Sequence, residues 1–290
     1  MDLEEQFTHL VKTKEFVAAV AFDNDVLYQP EDVTGFDVSD ITVTGGVISG
    51  FTTVDGNSYQ ATFTADDGIE ITGVVSVAST YTDLVGNAGT AGVDTVSIDR
   101  LNPAVIVNII ESQLNDGTTS SLVTFDFSED VTGFDASDIT VTGGVLSGFT
   151  TVDASNYQAT FTADDGVDMS GDVAVTATYT DLVGNLGTVG SDTVSIDRLN
   201  PSVVVDIVES QLSDGSTSSL VTFDFSEDVA GFDVSDLTAT GGVISGFTTV
   251  NASSYEATFT ANDGVETIGS VSVAATYTDL QGNAGSANSD

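Results

Sequence analysis

No cysteine occurs in the 290 residues, which excludes a disulfide framework, a catalytic thiolate and a cysteine-ligated zinc. That absence leaves the cellular compartment open. Basic residues are almost as scarce: 4 Lys and Arg stand against 45 Asp and Glu, for a formal charge of -41. A chain this acidic repels nucleic acid and anionic lipid, so neither nucleic-acid binding nor membrane insertion is expected. No stretch approaches the roughly 18–20 consecutive apolar residues of a membrane helix. The start, Met1-Asp2-Leu3-Glu4-Glu5, lacks the basic segment of a secretory signal. With 40% of residues apolar, many of them β-branched, the chain can still bury a core, so high charge does not imply disorder here. Folded structure must then tolerate the charge, and bound cations are the direct means.

What the chain has instead is a repeat, a signature that decides the fold when present. Asp83, Asp181 and Asp279 each follow Tyr-Thr and precede Leu-x-Gly-Asn, at a constant spacing of 98 residues. Asp99 and Asp197, each in Ser-Ile-Asp-Arg-Leu-Asn-Pro, keep the same spacing. The period divides the chain into a non-repeating segment 1–30, an incomplete repeat 31–102, a complete repeat 103–200 and a repeat 201–290 expected to lack its last strand. Segment 1–30 holds His9, Lys12 and Lys14 and loses the repeat pattern. Its Leu3, Phe7, Leu10 and Val11 fit a helical stripe, whereas residues 15–22 suit a strand that would replace a missing first one. These ragged ends suggest a piece of a longer protein, with any export signal elsewhere.

Within the middle repeat, alternation with a period of two dominates. Val123, Phe125 and Phe127 share one face; Thr124, Asp126 and Ser128 share the other. Tyr157, Ala159, Phe161 and Ala163 alternate with polar residues, as do Val173, Val175, Ala177 and Tyr179, and Val194 with Ile196. Residues 105–109 open the repeat, and 139–141 with 145–146 predict two strands around a Thr142-Gly143-Gly144 turn. About seven short strands separated by Gly, Asp, Asn and Ser turns predict an immunoglobulin-like β-sandwich. The fold class is therefore all-β: tandem Ig-like sandwiches stacked end to end, with incomplete terminal units. The Cys–Trp–Cys core of antibody domains is absent, so Phe, Tyr, Val and Ile must fill the interior.

The motif Phe127-Ser128-Glu129-Asp130-Val131-Thr132-Gly133-Phe134-Asp135-Ala136-Ser137-Asp138-Ile139, with Tyr157-Gln158-Ala159-Thr160-Phe161-Thr162, Tyr179-Thr180-Asp181-Leu182-Val183-Gly184-Asn185 and Asp197-Arg198-Leu199-Asn200-Pro201, resembles the tandem bacterial Ig-like repeats of giant surface adhesins. These are the type I-secreted, RTX-type and biofilm-associated adhesins. The resemblance covers nearly everything after residue 30. It implies an extracellular, cell-surface stalk whose domain junctions are rigidified by calcium. The glycine-rich calcium nonapeptides of an RTX β-roll do not occur.

The carboxylates also read in their own right as calcium ligands. In a seven-strand sandwich, loops 128–138, 152–156 and 180–188 fall at the pole where the repeat begins. Loops 111–120 and 163–172 and the exit 197–200 fall at the other. Stacking then brings Asp197 and Asn200 toward Glu227, Asp228 and Asp279, with Asp164, Asp165 and Asp168 approaching from behind. One period earlier, Asp99 and Asn102 face Glu129, Asp130 and Asp181, with Asp66 and Asp67 behind. Calcium takes six to eight oxygens at roughly 2.3–2.6 Å, which carboxylates, carbonyls and water supply, whereas magnesium keeps its waters and strict octahedra. No EF-hand loop is present, since Asp23-Asn24-Asp25 lacks the Gly and Glu that should follow. Plainer readings stand beside this one. Glu129 and Asp130 suit a solvated turn, Asp181 suits a backbone-capping turn, and Asp164-Asp165-Gly166 is a turn sequence. Asp135 and Asp138 fit Asx-type turns, Asn185 a structural turn, and Arg198 a pairing with some nearby carboxylate.

The function expected is a structural spacer of a bacterial cell-surface adhesin, with neighbouring repeats of the chain as partners and calcium between them. The alternative is a carbohydrate- or surface-binding Ig-like module, with a glycan or surface ligand met through other domains as a further partner. Catalysis is not expected: the carboxylate pairs recur at loop poles without a repeated His, Cys or Trp. Acids kept for hydration alone would spread evenly over strands, whereas here many gather in a few loops.

Overall fold

The computed structural model describes residues 31–290. The helical stripe, the strand at 15–22, the surroundings of His9 and the Asp23-Asn24-Asp25 segment lie outside the described residues. The described residues divide into two compact units, residues 31–102 with 183–185, and residues 103–182 with 186–290. The structure is nearly all β. Among the described residues no helix is long and apolar enough to cross a membrane.

The second unit holds two hydrophobic cores, one per repeat. In the first of these repeats, one sheet carries Gly144–Thr151, Asn156–Ala163, Ser120–Phe127 and Val105–Ile109 in that order, all antiparallel. The facing sheet carries Ile139–Thr142, Asp168–Val175, Gly190–Asp197 and Gln113–Leu114, the last pair parallel. The alternating apolar residues do what their period demands. Val123, Phe125, Phe127, Tyr157, Ala159 and Phe161 are buried from one sheet, and Val173, Val175, Val194 and Ile196 from the other. Rings of Phe127, Phe134, Tyr157 and Tyr179 meet edge to face in place of a tryptophan–disulfide core.

The two strands expected around Gly143 are present, and one expectation is corrected. The strands on either side of Gly143 are not paired with each other. Ile139–Thr142 and Gly144–Thr151 belong to different sheets, and the chain crosses between them at Gly143, where φ is +76°. The strand expected over 173–179 instead runs Asp168–Val175, paired along its length with Gly190–Asp197. Gly171 hides its start, because it stands on the core face without a side chain, where a Cβ would lie 2.7 Å from the Ile196 Cδ1 and 3.1 Å from the Phe161 ring. Its end is set by Asp138, whose carbonyl accepts from the Thr176 N–H at 2.8 Å and whose carboxylate accepts from the Thr178 hydroxyl. The chain therefore leaves the sheet before Tyr179, which is still fully buried.

Asp135 and Asp138 serve the backbone. The Asp135 carboxylate accepts from the Ser137 N–H (2.7 Å), and Asp138 accepts from the Asp135 N–H (2.8 Å), a reciprocal cap on the turn Ala136–Asp138. The last repeat has the same layout. One sheet holds Gly242–Asn251, Ser254–Ala261, Ser218–Phe225 and Val203–Ile207; the other holds Leu237–Thr240, Ser270–Val273 and Asn288–Ser289. Its closing strand is the short Asn288–Ser289, and its neighbour shortens to Ser270–Val273 accordingly.

In the first unit, Ile41–Thr44, Glu70–Val77 and Gly92–Asp99 form a three-stranded sheet, and Gly46–Thr53 pairs with Tyr59–Ala65.

Candidate metal centre

Three backbone features of the second unit converge at its internal junction. Strand Gly190–Asp197 ends on Asp197, from which a short connection leads to Val203–Ile207. Glu227 lies in the tight loop between Ser218–Phe225 and the two-residue strand Val229–Ala230. Val229 is paired directly with Asp279, so this small ladder carries Glu227 and Asp279 to the same end of the sandwich. Carboxylate oxygens of Asp197, Glu227 and Asp279 all lie within 4.8 Å of one another.

Asp279 is held from below. Its Oδ1 accepts from the N–H groups of Gln281 (2.9 Å) and Asn283 (2.8 Å), and its Oδ2 from the Asn283 amide (2.6 Å). The loop turns at Gly282, where φ is +93°. Asp279 thus caps its loop and also stands in the acidic group, at 1% exposure. Asn283, fully buried, shares its amide hydrogens with the Asp197 carbonyl (2.9 Å) and carboxylate (3.2 Å).

The group carries unbalanced negative charge. Burial first, then the charges of Asp279, Asp168 and Asp116, push the Asp197 carboxyl above its ordinary range, against a lowering contact from the Leu199 N–H. Burial, then Asp279, Asp197 and Asp168, push Glu227 up in the same way. The nearest basic side chain is spent elsewhere. Arg198, the sole basic residue of 103–290, places Nε 3.3 Å from Asp116 and Nη2 3.1 Å from Asp165. Its Nη1 donates to the Ala163 carbonyl at 2.9 Å.

The remaining candidates sort by this geometry. Asp165 is exposed and paired with Arg198, and Asp164 is an exposed turn residue whose N–H donates to the Gly143 carbonyl; neither belongs to the three-carboxylate group. Asp168, paired in register with Asp197, is the one residue of that loop whose charge reaches it. Asn200 and Asp228 are exposed and stand outside the group. Glu129 is half-buried, Asp130 exposed and Asp181 buried, the last at the end of the pair Val131–Thr132 with Thr180–Asp181. In the first unit, Asp67 pairs with Arg100 at 2.9 Å, Asp66 and Asn102 are exposed, and half-buried Asp99 ends its strand. There Asn185 donates to the Asp99 carbonyl (3.2 Å) and carboxylate (3.1 Å), the bond that Asn283 makes one period later. By the 98-residue period, Asp99, Glu129 and Asp181 are the sequence counterparts of Asp197, Glu227 and Asp279.

Sequence reasoning missed two participants. Asn283 was legible only as a turn residue after glycine. The turn 115–118 showed itself only as an Asn-Asp-Gly-Thr loop at the exit pole.

All-oxygen, carboxylate-rich donor sets suit a hard divalent ion of calcium's size. Asp197, Glu227 and Asp279 supply three such ligands, and the lifted carboxyls of Asp197 and Glu227 are what a cation would relieve. Backbone carbonyls and water would have to complete a shell of six to eight.

The sequence profile of a family described as bacterial Ig-like domain matches residues 26–100, 99–197 and 197–290. No curated protein sequence matches the chain. Among solved structures, similarity is found to invasin, titled a bacterial integrin-binding protein, at 18% identity over 84% of this chain and 49% of that one, with a TM-score of 0.33. It is also found to InvD of Yersinia pseudotuberculosis, at 15% identity over 91% and 87% of the two chains (TM-score 0.31). InvE of the same organism shares 16% identity over 65% and 58% (TM-score 0.29). The chain spans about half the length of the invasin structure.

Proposed function

The chain belongs to the bacterial Ig-like domain family, and from that premise we propose that it is a spacer segment of a bacterial cell-surface adhesin, stiffened by calcium at its repeat junctions. The reading is of an extracellular, non-catalytic protein whose work is mechanical. Tandem repetition supports it: three family matches follow one another with no intervening linker. A flexible Gly/Ser linker would leave neighbouring domains free to reorient. Here three residues and a proline, Arg198-Leu199-Asn200 after Asp197 and then Pro201, separate one repeat's last strand from the next repeat.

The observation that carries the calcium part is the meeting of Asp197 with Glu227 and Asp279. One comes from the exit of a repeat and two from the loops of the next, and among the described residues no basic side chain joins them. A calcium ion would supply Lewis-acid neutralisation there. Asp197, Glu227 and Asp279 would hold it, and the period assigns Asp99, Glu129 and Asp181 the same role. The carbohydrate-binding alternative has less support. Every described Phe and Tyr is buried or half-buried, so none offers an open face for a sugar ring.

Calorimetric titration of the metal-stripped protein with calcium tests this reading. Saturable binding that is lost from the second junction in Asp197→Asn and Asp279→Asn is the expected result. Titrations indistinguishable from wild type in both variants would refute the assignment.

A further inference from the structure

The acidic group draws attention to the metal, but a second set of contacts crosses the same junction and needs none. The turn 115–118 belongs to the earlier repeat of the second unit. It is closed by reciprocal backbone bonds between Asn115 and Thr118, at 3.0 and 3.1 Å. The Asn115 Oδ1 accepts from the N–H groups of Gly117 and Thr118, both at 2.9 Å, which fixes its amide pointing outward. That amide donates to the Gln281 carbonyl of the following repeat at 2.9 Å. Beside it the Asp116 N–H donates to the Asn283 Oδ1, also at 2.9 Å.

Asn283 is therefore used at both ends. Its oxygen accepts from the turn 115–118, and its nitrogen donates to the Asp197 carbonyl and to the carboxylates of Asp197 and Asp279. An aspartate in its place could not donate, and a lysine could not accept. With no exposure, its polar atoms have no water to fall back on. Arg198 completes the arrangement by holding the Asp116 carboxylate while its backbone neighbour Asp197 receives the Asn283 amide.

We propose that Asn283 and the turn 115–118 form a metal-independent latch that sets the register between the two repeats of the second unit. On this view Asn283 is a positioning residue. It aims Asp197 and Asp279 at each other before any ion arrives, and a cation would strengthen a joint already docked. The latch stands whether or not the calcium reading does.

The absence of cysteine from the sequence makes the test direct. Ser147→Cys and Ser245→Cys, two exposed strand positions one period apart, accept a pair of spin labels. Pulsed dipolar spectroscopy is then run on the full chain in chelator. The expected result is a narrow distance distribution for the otherwise unchanged protein, lost in Asn283→Ala. The partner variant Asp116→Pro removes the single N–H from the other side of the joint. Neither Asp116 nor Gly117 has positive φ, so Asp116 occupies a turn position where proline is ordinary. Asp116→Pro should lose the narrow peak while Asp116→Ala, which keeps the N–H and loses the Arg198 pair, retains it. Should Asn283→Ala unfold the last repeat, as far-UV dichroism would show, the Asp116 pair decides. A broad distribution in the unchanged protein without metal overturns the proposal. So does a distribution in Asp116→Pro as narrow as in Asp116→Ala.

Discussion

Replacing Glu227 by glutamine separates charge from shape at the junction. The side chain keeps its length and loses its negative charge, beside two carboxylates with oxygens within 4.8 Å. Two unit charges at about 5 Å repel by about 1 kcal/mol in a water-like dielectric, and by several times that in a protein-like one. Because Glu227 is half-buried, the lower end applies. Without metal, Glu227→Gln should therefore be more stable than the unchanged protein, by about 1 kcal/mol. With calcium the order should reverse. An ion at a hundredfold excess over its dissociation constant stabilises the native state by about 2.7 kcal/mol. For two repeats melting together, that is a rise of about 5–10 °C in Tm. Glu227→Gln should lose most of that rise. Differential scanning calorimetry in chelator and in calcium reads both effects, with magnesium at matched ionic strength as the screening control. Asp126→Asn, which removes an exposed strand carboxylate, should change neither. A variant that melts earlier than wild type in chelator, or that keeps the whole calcium increment, refutes the reasoning. Equal losses in Asp126→Asn would reduce the effect to general screening of a chain of charge -41.

Acidity supplies a second test. Asp197 and Glu227 have folded pKa values raised above their ordinary 3.8 and 4.5, so the folded state binds protons first as pH falls. Metal-free stability should therefore rise as pH drops from neutral toward that range, and Glu227→Gln should flatten the rise in urea titrations. Asp135, Asp153 and Asp233 are depressed by serine and asparagine hydrogen bonds, so their contribution is lost only below about pH 3.8. The urea midpoint should thus pass through a maximum, and a steady decline from neutral pH would contradict this. Tyr179→Phe removes a hydroxyl that donates to the Thr188 carbonyl at 2.7 Å and accepts from its N–H at 3.2 Å; the expected loss is about 1–3 kcal/mol in urea unfolding. Gly187→Ala would set a Cβ 2.2 Å from the Tyr179 ring, and should cost about 1–3 kcal/mol by the same assay.

How much of this the sequence discloses depends on whether a residue's partner is set by local pattern or by chain topology. The core faces were legible because Val123, Phe125 and Phe127 alternate, and alternation is geometry. The caps at Asp135 and Asp138 were legible because their partners lie within three residues. The crossing at Gly143 was not, since a two-glycine turn reads alike whether it joins paired strands or passes between sheets. Nor was the start of Asp168–Val175, where Gly171 replaces the apolar residue that would have marked the core face. The acidic loops posed a harder problem. Asp164, Asp165, Asp197, Glu227 and Asp279 all sit in similar acidic turns, and what tells them apart is tertiary: the Val229–Asp279 ladder gathers three of them, and Arg198 takes Asp165.

The path of Arg198 bears on the chemistry as well. Arg198 follows Asp197 directly, and the nearby carboxylate expected to pair with it could have been on either side of the junction. The three Arg198 nitrogens face Asp116, Asp165 and the Ala163 carbonyl, all within its own repeat. Had it turned the other way, Asp197 and Glu227 would have a protein counter-ion, and their carboxyls would be held down by the same pairing. Because it turns inward, Arg198 leaves the junction carboxylates without its charge. On the calcium reading proposed above, a solution cation would supply the missing positive charge at this joint.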